Sequence, residues 1–421
     1  MFDELPSGSQ FAAVNFSGLV NLGLALVVGI FCSCAKKPKK DPLKVTKADV
    51  TKPTAEITQA AAEKFGKDME LALRDNNPIR FRKLLDLDAM FYRIFPKDVV
   101  DGNRQLKGAK TGWEPSIQQS VYQSLGQFRV EFLRAVKDAD GMKARFRLAG
   151  VGVNYWDALL GRNAGGQVCL VDYLDYTSGE FSSDSQRQLM QQMLPGMLTG
   201  SETRTEVDHE MKSIKKLEEI TNLMRSGQHA KFLDEYDRLG ADLKQQRTIM
   251  NLRISAANQI AAAQLQQGKA GFEIYTKAVD EYRVVHATAA NIELLSLDYY
   301  FFKKDYKKAI EIIDQLERRV GGDPYLNLLR ANIYIVSKEA GLAKKHFRSV
   351  VESCPWEAKA YLALLGIGLN EKNYPEVTRL MIALEKKTEV KMDINFNGAK
   401  EFDPYRPSPE MTKWKAHKLA Q

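Results

Sequence analysis

KKDYKKAIEIIDQL, residues 303–316, is followed at a fixed interval by SKEAGLAKKHFRSVV, residues 337–351, and by EKNYPEVTRLMIAL, residues 371–384. Tyr306, Ala340 and Tyr374 stand 34 residues apart, as do Ala309, Ala343 and Val377, and Ile313, Phe347 and Met381. Within each stretch the apolar positions recur every three or four residues, the spacing of one face of a helix. A helix repeated at this interval is one half of a helix pair. No single pair buries its own apolar face, so each must stack on its neighbours. Counting back from Ala309 lands on Tyr275 in GFEIYTKAVDEY, which still reads as the second helix of a pair. Further upstream SGQHAKFLDEYDRLG, residues 226–240, reads as another second helix, with a partner too long for strict register.

Position by position these repeats resemble the tetratricopeptide-repeat (TPR) family. In Pro324–Glu357, Ala331 occupies the small position of the first helix and Tyr334 the aromatic one. Ala343, Phe347 and Val350 take the small, aromatic and apolar positions of the second helix, and Pro355 ends the repeat. The next repeat carries Tyr361, Leu364, Tyr374, Met381 and Leu384. Tyr275 is large where a small residue is usual, and Leu297 and Leu365 replace the small first-helix residue. The resemblance covers about residues 200–390. It implies a superhelix whose concave groove binds a peptide or partner helix. Groove residues carried over from the repeat pattern are Asn291, Asp298, Phe302, Tyr325, Asn332 and Lys359. Of the Lys/Asn clamp with which chaperone-binding members grip a C-terminal carboxylate, only Asn332 is present.

Upstream the pattern changes. Ile57, Ala61, Phe65, Met69 and Leu73 fall four apart and predict a helix that Asn76-Asn77-Pro78 stops. A second helix, strongly apolar through Phe81 to Phe95, is expected to start at Pro78, then a Gly/Lys-rich loop with Trp113, then a helix to about Leu125. From Phe128 onward apolar and polar residues alternate, with a turn at Asp138–Gly141 and further strand-like runs at Tyr155–Leu160 and Gln167–Tyr176. About four antiparallel strands and a short helix over Ser183–Met193 are expected. Helices followed by a meander over residues 55–198, ending in VDYLDYTSGEF, resemble the NTF2-like cone. That resemblance implies a pocket between sheet and helices, which in some members is an isomerase or dehydratase site. Asp172 and Asp175 are the tempting pair there, but residues three apart on a regular strand face opposite sides. No histidine precedes His209, so Asp157 or Asp172 with Tyr155 is the remaining acid–base combination. Cys169 alternates within an apolar strand and reads as a buried small hydrophobe.

The N-terminal stretch ALVVGIFCSCAKKPKKDP, residues 25–42, has the makings of a membrane leader. No charge occurs between Glu4 and Lys36. The aliphatic run 22–32 suits a signal-peptide core, and extension back to Phe16 makes it long enough to span, for which about 20 residues are needed. Phe31-Cys32-Ser33-Cys34 resembles a bacterial lipobox, which implies lipidation of Cys34. Phe31 and the acidic Asp3 and Glu4 depart from that pattern. An uncleaved anchor, with Lys36, Lys37, Lys39 and Lys40 kept cytoplasmic by the positive-inside rule, is the second reading. A buried core helix is the third.

The expected organisation is therefore a signal or anchor segment at 1–35 and a linker at 36–54. An α+β NTF2-like domain follows at 55–198, then TPR-like repeats at 200–390. The tail, 391–421, either caps the array or frays. The 61 Lys and Arg against 53 Asp and Glu are scattered without a basic stripe, so nucleic acid is not an expected partner. Four cysteines and five unpaired histidines offer neither a disulfide framework nor a metal site, and no cofactor is implied. The expected function is a membrane-tethered, bacterial-type protein–protein interaction scaffold or assembly factor without enzymatic activity. Its oligomeric state and the side of the membrane are left open. The alternative is a small-ligand-binding or enzymatic NTF2-like pocket with the repeats as its docking platform.

Overall fold

The computed structural model describes residues 56–150, 152–193, 215–216, 219–268 and 271–420. The leader and linker, Cys34 included, lie outside these residues. Helix α1 (Gln59–Arg74) begins where the Thr58 hydroxyl accepts from the Ala61 N–H at 3.2 Å, and it buries Ala62, Phe65, Met69 and Ala72 along one face. The helix expected from Pro78 to Phe95 does start at Pro78 but is two, α2 (Pro78–Arg82) and α3 (Leu87–Ile94). The break has a tertiary cause. The Asp86 N–H donates to Leu170 O at 3.0 Å and the Leu170 N–H to Leu84 O at 2.8 Å, so this segment pairs briefly with a strand. The Asp86 carboxylate then caps the new helix at the Ala89 N–H, 2.9 Å away.

After α4 (Lys97–Gly102), the Gly/Lys-rich stretch expected as a loop forms the front of a 22-residue helix, α5 (Arg104–Leu125). Gly108 and Gly112 each cost it about 1 kcal/mol relative to alanine. Leu106, Ala109, Trp113, Ile117, Val121 and Leu125 are all buried at helical spacing, and that packing outweighs the local preference.

Five antiparallel strands follow in the order β1-β2-β3-β4-β5: Arg129–Asp138, Gly141–Ala149, Val153–Arg162, Val168–Asp175 and Glu180–Phe181. Asp138 pairs with Gly141 across the first turn, where the glycine takes φ +131°. Phe146 lies opposite Trp156 and Ala158 opposite Tyr173, on the face that joins Phe65, Met69, Phe91 and Trp113 in one core. Helix α6 (Ser182–Met193) follows β5 directly.

The remainder is helical: α7 (His229–Asp237), α8 (Ala241–Lys244), α9 (Arg247–Gln266), α10 (Glu273–Val285), α11 (Ile292–Phe302), α12 (Tyr306–Val320), α13 (Leu326–Val336), α14 (Ala340–Ser353), α15 (Ala358–Asn370), α16 (Tyr374–Lys387) and α17 (Pro409–Leu419). Helices first, then an antiparallel sheet, then many helices make a multidomain α+β and all-α chain. Two compact units divide it, one ending at Leu294 and the other beginning at Leu295.

The 34-residue interval is visible in the backbone. Helices α12, α14 and α16 start at Tyr306, Ala340 and Tyr374, and α11, α13 and α15 end at Phe302, Val336 and Asn370. Each turn between them passes through a left-handed lysine: Lys304 at φ +58°, Lys338 at +65° and Lys372 at +53°. Burial follows the same interval. Tyr275, Ala309, Ala343 and Val377 are all fully buried.

A side chain in the left-handed region carries a steric cost that glycine escapes. Lys338→Gly at this exposed turn should therefore stabilise the fold by about 0.5–1 kcal/mol, measured as a shift in the urea midpoint. A loss of stability would contradict the left-handed assignment.

The tail caps the last helix pair. The Phe396 and Phe402 rings stack at 4.1 Å, Trp414 is buried, and Lys418 Nζ donates to the buried Glu385 at 2.7 Å. Among the described residues no helix is long and apolar enough to cross a membrane.

Candidate functional site

The sheet carboxylates come first because the sequence makes them the obvious chemical groups. Asp172 lies opposite Leu159 and Asp175 opposite Trp156, and the register shift falls before Asp172, between Leu159 and Leu160. The two carboxylates therefore face opposite sides of β4, as their spacing requires. Each is held by neighbours. Asp172 accepts from Arg93 Nε at 2.9 Å and Ser183 Oγ at 2.5 Å. Asp175 accepts from Asn154 Nδ2 at 3.0 Å and from the Thr177 N–H and hydroxyl, both at 2.6 Å. Burial raises both carboxyls above the usual range despite these donors. Asp157 forms a two-armed pair with Arg145, Nε and Nη2 each at 2.7 Å, against which the buried Tyr155 opposes Arg147 on the neighbouring strand. Cys169 is buried, and burial pushes its thiol up. No group of three or more His, Cys, Asp or Glu among the described residues is placed to hold a metal ion.

The β4–β5 turn has a different role. Asn251 Nδ2, on α9, donates to Ser178 O at 2.8 Å, Arg247 Nη1 to Gly179 O at 3.0 Å, and Thr248 Oγ1 to Glu180 Oε1 at 3.0 Å. Asn291 Nδ2 donates to Thr177 O and to Asn251 Oδ1, both at 3.1 Å, and its own Oδ1 accepts from Tyr282 OH at 2.7 Å. The hairpin tip of the α+β domain is thus locked onto the first helices of the following region. The backbone oxygens of a tight turn are satisfied by side chains from 68 to 114 positions away. Sequence reasoning missed this junction. Its only local sign was the turn composition Thr177-Ser178-Gly179, which says nothing of the residues that meet it.

The six residues placed in the groove by sequence fall into different surroundings. Asn291 is fully buried in the junction just described, and its amide is engaged there rather than open to a ligand. Tyr325 is buried as well, its hydroxyl donating to Glu357 Oε2 at 2.7 Å and its ring stacked on Trp356 with centroids 5.6 Å apart. Phe302 is buried. Asn332 is half-buried and Lys359 is exposed. Asp298 is only 2% exposed, and its Oδ2 is closed off from solvent without a hydrogen bond. Burial alone raises this carboxyl to about 8.

Comparison with protein-family models, with curated proteins and with solved structures found no match.

Proposed function

We propose that this chain is an interaction scaffold or assembly factor of tetratricopeptide-repeat type. It takes a peptide or partner helix on the first-helix face of its repeats, while an NTF2-like domain is locked onto its first helices. The observation that carries this reading is the repetition itself. Four second helices bury the same three positions in register: Tyr275, Ala309, Ala343 and Val377, then Val279, Ile313, Phe347 and Met381, then Tyr282, Leu316, Val350 and Leu384. The resemblance to the repeat family implies that the first helices line the concave face on which a ligand would lie. Asn332 and Lys359 are the surface-reaching groups there. The charge-free leader supports membrane tethering, which would raise the effective concentration of whatever the repeats bind. Asp157, Asp172 and Asp175, the carboxylates on which the enzymatic alternative would draw, each accept hydrogen bonds from neighbouring side chains.

Photo-cross-linking in cells tests the proposal. Benzoylphenylalanine at Asn332 or Lys359 should give an adduct with one discrete polypeptide in the membrane fraction. The same probe at Glu311 or Lys345, on second helices, should give none. A chain without residues 1–35 should leave the membrane fraction. Equal adducts from both helix sets, or none, would refute groove binding, and unchanged sedimentation would refute the tether.

A further inference from the structure

The loop between α16 and α17 carries Asn397-Gly398, the one Asn-Gly pair in the chain. Both residues are exposed. Gly398 takes φ +80°, and no atom beyond its chain neighbours stands within 4 Å of where a Cβ would be. Among the described residues its N–H donates to no acceptor, and the Asn397 side-chain amide has no partner. Asn163 differs on every count. It is half-buried, precedes Ala164, and its Oδ1 accepts from the Gly165 and Gln167 N–H groups, both at 3.0 Å. The loop is pinned on either side of the Asn-Gly pair. The Asp393 carboxylate accepts from the Asn395 N–H at 2.7 Å and the Asn397 N–H at 3.2 Å. Arg406 Nη2 donates to Phe396 O at 2.6 Å and to Ala399 O at 3.2 Å. Phe396, left-handed at φ +53°, is buried with its ring 4.1 Å from Phe402 and 6.0 Å from Trp414.

We infer that Asn397 is a site of spontaneous deamidation, and that its isoaspartyl product loosens the aromatic cap on the last helix pair. A backbone nitrogen attacks the preceding asparagine side chain most readily when its N–H is unengaged, water has access and no side chain crowds the approach, a condition glycine meets best. Here the Gly398 nitrogen bonds to Asn397 Cγ, its proton passes to solvent, and the amide nitrogen leaves as ammonia. One water then opens the five-membered imide. Opening at the Cγ carbonyl gives aspartate. Opening at the main-chain carbonyl gives isoaspartate, in which the chain runs through Cβ and Cγ. One amide and one water thus become one carboxylate and one ammonium ion, and nothing is oxidised or reduced. The isoaspartyl link inserts a methylene into the backbone between the Asn397 N–H, held by Asp393, and Ala399 O, held by Arg406. The two anchors then no longer match the span between them, and the stack that Phe396 makes with Phe402 lies directly beside the mismatch.

Incubation of the folded full chain at neutral and mildly alkaline pH tests the site. Trypsin releases Met392–Lys400, which holds both Asn395 and Asn397, and fragmentation mass spectrometry reads the two amides separately. Asn397 should turn into a mixture of aspartate and isoaspartate, faster at the higher pH because the attacking nitrogen must shed its proton. Asn395, followed by the bulky Phe396, should keep its amide over the same period. Hydrogen exchange of the α17 amides should be faster in the isolated isoaspartyl form than in the fresh chain. Freshly prepared Asn397→Asp carries the new charge without the longer backbone and should exchange like the fresh chain. An amide that persists at Asn397 as long as at Asn395 would overturn the site. Unchanged α17 exchange in the isoaspartyl form, or equal acceleration in Asn397→Asp, would overturn the loosening by a lengthened chain.

Discussion

Asp298→Asn should leave stability unchanged near pH 4 and raise it progressively toward pH 8. The folded carboxyl titrates at about 8, against an ordinary value of 3.8, and burial is the cause. Between those values the folded chain holds a proton at Asp298 that the unfolded chain has released. Stability then falls as pH rises, by about 1.4 kcal/mol per pH unit for one proton. The destabilisation is absent below the unfolded value and complete above the folded one. Local relaxation and water entry reduce the full effect, so the gap between variant and native chain at pH 8 should be about 2–4 kcal/mol. Asparagine carries no charge and cannot follow the slope. Urea unfolding of both chains at pH 5, 6, 7 and 8 measures this, and parallel stability curves would show that Asp298 is not isolated.

Gly179→Ala should be strongly destabilising although it adds a single methyl group. Gly179 sits at φ +77° in the β4–β5 turn, and a Cβ there would stand 2.4 Å from Asn291 Oδ1. The left-handed backbone alone costs a non-glycine residue about 1–2 kcal/mol. The contact is worse, because Asn291 cannot yield without giving up Thr177 O, Asn251 and Tyr282, all buried bonds. Leaving such groups unpaired costs about 1–3 kcal/mol. A total loss of about 3–5 kcal/mol is expected. Hydrogen exchange should also show early opening of the 175–180 turn and the start of α9. A variant within 1 kcal/mol of the native chain, by the same additive reasoning, would mean that the junction is not rigid.

Sequence and structure agree wherever the signal is local and periodic. The 34-residue interval was readable because burial at Ala309, Ala343 and Val377 repeats with the chain itself. The opposite facing of Asp172 and Asp175 was readable because a strand alternates. The meander was legible down to the Asp138–Gly141 turn, with only the two-residue β5 unforeseen. Three features were not legible. The break at Asp86 depends on Leu170, the helix through Gly108 and Gly112 depends on the core that Trp113 enters, and Asn291 depends on a turn 114 positions away.

By itself the sequence determined the helix pairs, the alternating strands and the order of the regions, because the pitch of a helix and the pleat of a strand are properties of the local chain. The tertiary structure alone decided which polar side chains would be engaged and which left over. Asn291, Tyr325 and Asp298 look alike as groove candidates in sequence, but two find hydrogen-bond partners and one does not. Pairing of a buried polar group is set by what packs against it, and no periodicity along the chain encodes that.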